Sequence, residues 1–438
     1  MKFKKSKYNI NVDKLSNGEI LIYNSVTSAF GIMDCETQAI YNNLDNINDN
    51  NLKDKNMKKN LNIMSNNGFI VEEDLDEFKK LMLEYNLYRY DRSGGLFLTI
   101  APTMNCNMAC PYCYEKKNLE KMSENTQQLL IKCIEDYIKR YPQITFISVS
   151  WYGGEPLLEK EIIRYLSKEL IRICKENQRE YTASIVTNGV LLDYDTALML
   201  SKECNIYQTQ ITLDGVGEVH NKTRKLKSGE DSFSKITANI DDVKDLLQVV
   251  IRTNINKKNV DYFKDLVQYF KRKNWDGKVK LYFSPVTATE EVNKHVFNEC
   301  YSRDEFNDMH IDLEKLLIDA DINSNFTYPK SFLGCTALTV HNIVIDPNGN
   351  MSKCWHRIGN PKYYIGSVKE GIKFNKERIE WLTSEYPNKC VECKLFPICR
   401  SGCPHDRIKN NNEPICEYNL HQIREILKKY YKNLRIEQ

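Results

Sequence analysis

The chain has 438 residues, 41% hydrophobic and 28% charged, with 62 Lys and Arg against 59 Asp and Glu for a net charge of +3. That length predicts two or three domains with a sizeable core, and the near-neutral balance excludes global disorder and a basic surface built for nucleic acid. No apolar run approaches the ~20 residues of a membrane span, and Met1 to Ile10 carries lysines with no apolar stretch behind them. A cytoplasmic protein with no nucleic-acid or membrane partner is expected.

Residues 1–90 are rich in Asn, Lys and Asp and predict a small separate domain. Glu19 to Tyr23 and Ala29 to Met33 flank a turn-forming Asn24 to Ser28, which predicts a hairpin. Helical stretches follow at Thr37 to Leu44, Leu52 to Asn66 and Leu75 to Leu87, so the segment reads as a winged-helix-like module.

From Gly95 a strand, turn and amphipathic helix repeat. Six extended runs are visible: Leu96 to Ala101, Ile144 to Trp151, Thr182 to Thr187, Tyr207 to Leu213, Val249 to Asn254 and Val279 to Ser284. Strands alternating with helices predict an α/β fold with a parallel sheet, and six units suit a partial (β/α)6 TIM-like barrel over residues 91–325. Chemistry in such barrels lies just past the carboxyl ends of the strands. Four motifs obey this: Cys106-x3-Cys110-x2-Cys113, Gly153-Gly154-Glu155-Pro156, Thr187-Asn188-Gly189 and Asp214-Gly215 follow the first four strands.

From Gly334 the helical rhythm stops, and residues 326–438 read as a metal-organised domain. Its cysteines run Cys335, Cys354, Cys390-x2-Cys393-x5-Cys399-x3-Cys403 and Cys416. The chain has 15 cysteines, an odd number, and ten of them fall in these two clusters, which in a reducing compartment indicates metal ligands. Three thiolates within eight residues can hold three irons of a cubane cluster and leave the fourth open to a small molecule. The competing reading, one helical face of small apolar residues, is opposed by Pro111, Asn105 and Asn107. Seven cysteines suit two zinc sites poorly, since those need eight ligands. Cys133, Cys174 and Cys204 read as core residues, and Cys35 and Cys300 stay unassigned.

Cys106-x3-Cys110-x-Tyr112-Cys113, Gly153-Gly154-Glu155-Pro156 and the six-unit barrel resemble the radical S-adenosylmethionine (SAM) superfamily, and the later seven cysteines resemble its SPASM extension. The likeness covers Gly95 to Cys416. It implies that Cys106, Cys110 and Cys113 hold a [4Fe-4S] cluster whose open iron is chelated by SAM. Reductive cleavage would then give a 5'-deoxyadenosyl radical that takes hydrogen from the substrate. It also implies that Gly153 and Gly154 meet the SAM amino group, that Glu155 joins them or structures the loop, and that Tyr112 lies by the adenine. Asn188 and Arg252 would contact the ribose or carboxylate, and Asp214 matches the family's LDG segment or is a plain turn residue.

By the family's interleaved ligation, Cys335, Cys354 and Cys403 would hold auxiliary [4Fe-4S] cluster I, and Cys390, Cys393, Cys399 and Cys416 cluster II. Cluster I is then one protein ligand short, open to a substrate thiolate, to His341 or to another residue.

The resemblance implies a peptide-modifying oxidoreductase working anaerobically, with an electron donor such as ferredoxin or flavodoxin. The first 90 residues resemble the element by which ribosomal-peptide (RiPP) maturases bind the leader of a precursor peptide along a strand edge. Anaerobic sulfatase-maturing enzymes typically carry Asp after the cysteine of their Gly-x4-Cys element, whereas Trp355 follows Cys354 here, and Trp cannot accept a proton. Thioether crosslinking of a peptide cysteine is therefore the first expectation, with carbon-carbon crosslinking and epimerisation as relatives. A non-catalytic iron-sulfur carrier or zinc scaffold is the alternative of another class.

Overall fold

The computed structural model describes residues 2–47, 54–90, 94–289, 292–322 and 329–436. The expected boundaries at 90/91 and 325/326, and the first two residues of the Leu52 to Asn66 helix, touch segments outside the described residues.

The N-terminal segment holds β1 (Phe3–Lys5), β2 (Asn9–Lys14), β3 (Ile20–Asn24), β4 (Phe30–Met33) and β5 (Ile70–Glu72). The expected hairpin is β3–β4, but β2 adds a third antiparallel strand, and β1 pairs with β5. β1 and β2 escape sequence reading because Lys and Asn interrupt their apolar residues, and β5 because it is only three residues long. Alternation divides the three-stranded sheet into two apolar faces. Ile22 and Met33 meet Ile40, Leu61 and Met64 of the helices Cys35–Asn42 and Lys55–Asn66. Ile10, Val12, Leu21 and Tyr23 meet Leu395, Ile398, Ile423 and Leu427 from the far end of the chain. The segment is thus built into the molecule. Buried Arg89, on the Glu77–Tyr90 helix, strengthens the joint by donating to the carbonyls of Leu338, Trp381, Leu382 and Ser384.

Six parallel strands follow: β6 (Gly95–Ile100), β7 (Phe146–Trp151), β8 (Glu180–Thr187), β9 (Ile206–Thr212), β10 (Gln248–Ile255) and β11 (Val279–Pro285). They pair in sequence order with helices between them, as the alternation predicts. Register brings Thr212, Arg252 and Tyr282 side by side on β9, β10 and β11, near the carboxyl ends.

The sheet then continues into the C-terminal segment, which sequence reading treats as separate. The four residues of β12 (Asn342–Ile345), all buried, pair in parallel with β6, and β13 (Asn350–Ser352), β14 (Gly366–Ser367) and β15 (Gly371–Ile372) extend the edge antiparallel to ten strands. This continuity joins the C-terminal segment to the barrel strands, and the loop after β13, which carries Cys354, contributes Trp355, His356 and Ile358 to the cavity that the β6 and β7 loops also line. Among the described residues no helix is long and apolar enough to cross a membrane.

Candidate active site

Cys106, Cys110 and Cys113 lie in irregular backbone after β6, so the one-helix-face reading does not apply. Two neighbours fix this loop. The 225–227 segment clamps one side, with Ala109 N donating to Lys225 O at 2.9 Å and Lys227 N to Asn107 O at 2.9 Å. The turn after β7 clamps the other, with Gly154 N on Thr103 O at 3.2 Å and Glu155 N on Asn105 O at 2.8 Å. Gly154 has to be glycine, because a Cβ there would stand 2.3 Å from Asn105 O. Gly153 combines φ +120 with a would-be Cβ 2.3 Å from Thr103 O.

Glu155 is 0% exposed and fully engaged. Its carboxylate accepts from Thr187 Oγ1 at 2.7 Å, Leu157 N at 3.0 Å and Asn188 N at 2.7 Å. Burial pushes its pKa up and these donors pull it back. Of its two expected roles, the geometry displays the structural one: it ties the turn after β7 to the turn after β8. Glu155→Ala would strand three donors in a dry site, a loss of about 3 kcal/mol. The expected result is a melting temperature several degrees below wild type, and an unchanged melt would show that the carboxylate does not hold the two turns.

A second network surrounds Tyr112. Its hydroxyl donates to Asp214 Oδ2 and accepts from Arg224 Nη1 at 2.7 Å and Asn254 Nδ2 at 3.3 Å. Asp214 Oδ1 takes Asn254 N at 2.9 Å, and Asn293 Nδ2 holds Tyr112 O at 2.8 Å. Asp214 is therefore more than a turn former, since its carboxylate anchors the cysteine loop. His220 Nδ1 accepts from Asp214 N at 3.2 Å, and burial holds its pKa well below the usual value. Asn188 Nδ2 donates to Asn107 Oδ1 at 2.7 Å, and Arg252 Nε donates to Asn254 Oδ1 at 2.9 Å.

All of this opens on one cavity of about 1390 Å³. Cys106, Cys110, Tyr112, Cys113, Gly153, Gly154, Asn188 and Arg252 line it, while Glu155 stands behind the wall. So do residues that sequence reading does not single out. Tyr114 stacks on His356 at 4.3 Å, His356 stacks on His405 at 5.0 Å, and Tyr152 stacks on half-exposed Trp355 at 5.4 Å. The Tyr114 and Tyr152 hydroxyls bond each other, and burial pushes Glu115 beside them up to about 7. A carboxylate and a tyrosine next to Cys113 carried a weak signal, whereas the stacking partners lie more than two hundred residues away and carried none.

The other cysteines gather in two sets. Cys390 and Cys393 pack in one apolar cluster, and Cys354 packs in another beside Ala337 and Leu338, just after Cys335. Cys403 also lines the cavity. His341 is engaged elsewhere: its Nδ1 bonds Tyr137 Oη at 2.8 Å, and its ring meets Tyr141. Cys174 and Cys204 are buried and Cys133 half-buried, whereas Cys35 is exposed.

The donor set suits iron-sulfur clusters. Burial raises the proton affinity of Cys106, Cys113 and Cys403, a cost that ligation of a cationic metal by the thiolates would offset. Among the described residues no three His, Cys, Asp or Glu side chains close on a single ion, whereas the sulfurs around a cubane sit on separate irons.

Comparison with known proteins agrees. Residues 100–270 match the radical SAM superfamily. A serine-type anaerobic sulfatase-maturating enzyme of Bacteroides thetaiotaomicron is 35% identical over 150 residues, 32% of this chain but only 34% of that protein. A cysteine-type anaerobic sulfatase-maturating enzyme of Clostridium perfringens is 24% identical over 339 residues, 70% of this chain and 88% of that one. Among solved structures, anSMEcpe with bound AdoMet and Cp18Cys peptide aligns with TM-score 0.58 and 19% identity over 78% of this chain and 97% of its own. Streptococcus suis SuiB bound to precursor peptide SuiA aligns with TM-score 0.54 and 15% identity over 96% of this chain and 100% of its own. At such identities the structural likeness establishes the fold. Residues 100–270 therefore carry a radical SAM domain, the module that works with SAM and a [4Fe-4S] cluster.

Proposed function

We propose that this enzyme is a peptide maturase that crosslinks a ribosomally made precursor, forming a thioether at a peptide cysteine. One observation carries the reading: a single cavity of about 1390 Å³ is lined both by Cys106, Cys110 and Cys113 and by Cys403 with Trp355 and His356. A substrate held there meets both thiol sets at once. When bound, the cluster and SAM supply the adenosyl radical that takes a hydrogen atom.

The chain's own residues position and exclude water. Cys106, Cys110 and Cys113 hold the SAM-binding cluster. The amides of Gly154 and Glu155 are spent on the cysteine loop, so the carbonyls of Gly153 and Gly154 are the acceptors for the SAM ammonium. Tyr112, Asn188 and Arg252 bound the SAM pocket. Cys335, Cys354 and Cys403 hold auxiliary cluster I, and Cys390, Cys393, Cys399 and Cys416 hold cluster II. Cluster I then takes three protein thiolates and the thiolate of the substrate cysteine as its fourth ligand.

The N-terminal sheet takes the leader. Asn9 O and Asn11 O, on β2, accept from Lys394 and Arg424, so the sheet offers β4 as its other edge. The sulfatase-maturing reading is disfavoured by Trp355, which stacks on Tyr152 where a carboxylate base would be needed. The test is to incubate the reconstituted enzyme, SAM and reductant with a cysteine-containing precursor peptide. A two-dalton loss localised to a cysteine linkage supports the reading, and unchanged mass with solvent deuterium uptake replaces it with epimerisation.

A further inference from the structure

Arg407 is 0% exposed and sits on the short Pro404–Lys409 helix capped by Cys403. Arg407 N donates to Cys403 O at 3.0 Å, so the two side chains leave one helix face a turn apart. Its Nη2 donates to Ser384 Oγ at 3.0 Å, and its guanidinium lies 5.0 Å from the Tyr386 ring centroid. Nε and Nη1 have no hydrogen-bond partner among the described residues, and no carboxylate there forms an ion pair with it. A guanidinium does not give up its proton in proteins, and burying one without an anion is costly.

Its surroundings deepen the puzzle. Arg89 is also buried and satisfies itself on four backbone carbonyls, whereas buried Arg400 gives its Nε to Phe332 O at 2.9 Å and leaves Nη1 without a partner among the described residues. What Arg407 does face is the Tyr386 ring, which packs in one apolar cluster with Cys390 and Cys393 and in another with Cys354, so the guanidinium stands against a ring shared by both thiol sets. Four-iron clusters ligated by thiolates carry net negative charge that grows by one with each electron accepted, and nearby charge tunes their potentials.

We propose that Arg407 is the shared countercharge of the two auxiliary cluster sites, standing between the Cys335, Cys354, Cys403 set and the Cys390, Cys393, Cys399, Cys416 set and raising the reduction potential of both. This rests on the auxiliary-cluster reading above. The experiment uses full-length protein carrying Cys106→Ala, Cys110→Ala and Cys113→Ala, reconstituted anaerobically, so that only auxiliary clusters remain.

Iron and acid-labile sulfide are counted, and each cluster is titrated with dithionite as the one-electron donor while EPR reads the reduced fraction. For Arg407→Gln the ratio of reduced to oxidised cluster at fixed potential should fall about tenfold, which is about 59 mV for one electron. Arg407→Lys keeps the charge and should recover most of that ratio. If Arg407→Gln fails to hold its clusters while Arg407→Lys holds them, the countercharge role is likewise supported. Unchanged potentials in Arg407→Gln at equal iron content overturn the proposal, as does Arg407→Lys behaving like Arg407→Gln or losing its clusters with it. If the parent triple variant binds no iron, the auxiliary-cluster reading itself falls, an outcome read before any Arg407 variant is made.

Discussion

Cys106→Ala, Cys110→Ala and Cys113→Ala are each expected to reduce 5'-deoxyadenosine formation from SAM to background while leaving the auxiliary iron in place. On the reading proposed above, each would supply one thiolate to the SAM-binding cluster, so losing any one would leave that cluster a ligand short and SAM without its docking site. The fold around the loop does not depend on those sulfurs. Backbone bonds from Ala109 to Lys225, Lys227 to Asn107 and Glu155 to Asn105 hold it, and Met104 and Met108 fill the apolar space beneath. Each variant should therefore retain about eight of twelve irons, with the melting behaviour of the parent. Single-turnover assays with dithionite and excess SAM, read alongside iron content, separate the outcomes. A variant that still forms 5'-deoxyadenosine at even a tenth of the parental rate would remove that cysteine from the site.

The parts of this site that could be read in the amino-acid order are those whose chemistry needs near neighbours. Three thiols in eight residues and two glycines before a Glu-Pro pair are local patterns, and the strand preceding each places them at one end of a parallel sheet. What could not be read depends on contacts across the chain. The all-buried run Asn342–Ile345 looks like any short strand, and nothing in it names β6 as its parallel partner. Yet that pairing joins the barrel to the segment from which Trp355 and His356 enter the cavity lining. Tyr114, His356 and His405 stack in a column drawn from three separate segments of the chain, and an isolated histidine in sequence has too many ordinary uses to be assigned. His341 illustrates the converse. Its spacing from Cys335 makes it a ligand candidate, and only the tertiary fold reveals that its Nδ1 bonds Tyr137, from a helix two hundred residues earlier. Arg224 closes the Tyr112–Asp214 network from ten residues beyond Asp214, a distance set by an intervening helix turn that local periodicity does not reveal.

Gly154→Ala should be nearly as damaging as losing a cysteine, for a reason that involves no chemistry of its own. Gly154 does not have a left-handed φ, so alanine meets no backbone strain, and the penalty is one of space alone. The added methyl would stand 2.3 Å from Asn105 O and 2.5 Å from Met104 O. Both are backbone atoms of the segment leading into Cys106, and Asn105 O already accepts from Glu155 N at 2.8 Å. Neither can swing aside as a side-chain tip would, so the cysteine loop and the turn after β7 must separate. Overpacking of this kind costs about 1–3 kcal/mol in stability, which a chain of this size survives. Catalysis is less tolerant, because a displacement of about 1 Å at a positioning element costs on the order of a hundredfold in rate. The expected result is a protein that folds and keeps its auxiliary iron, but forms 5'-deoxyadenosine at least about a hundredfold more slowly. Its SAM-binding cluster should be incompletely loaded, and SAM should no longer perturb that cluster's EPR signal as it does in the parent. Parental rates in Gly154→Ala would mean that the two turns need not touch, and the carbonyls of Gly153 and Gly154 would then lose their claim to the SAM ammonium.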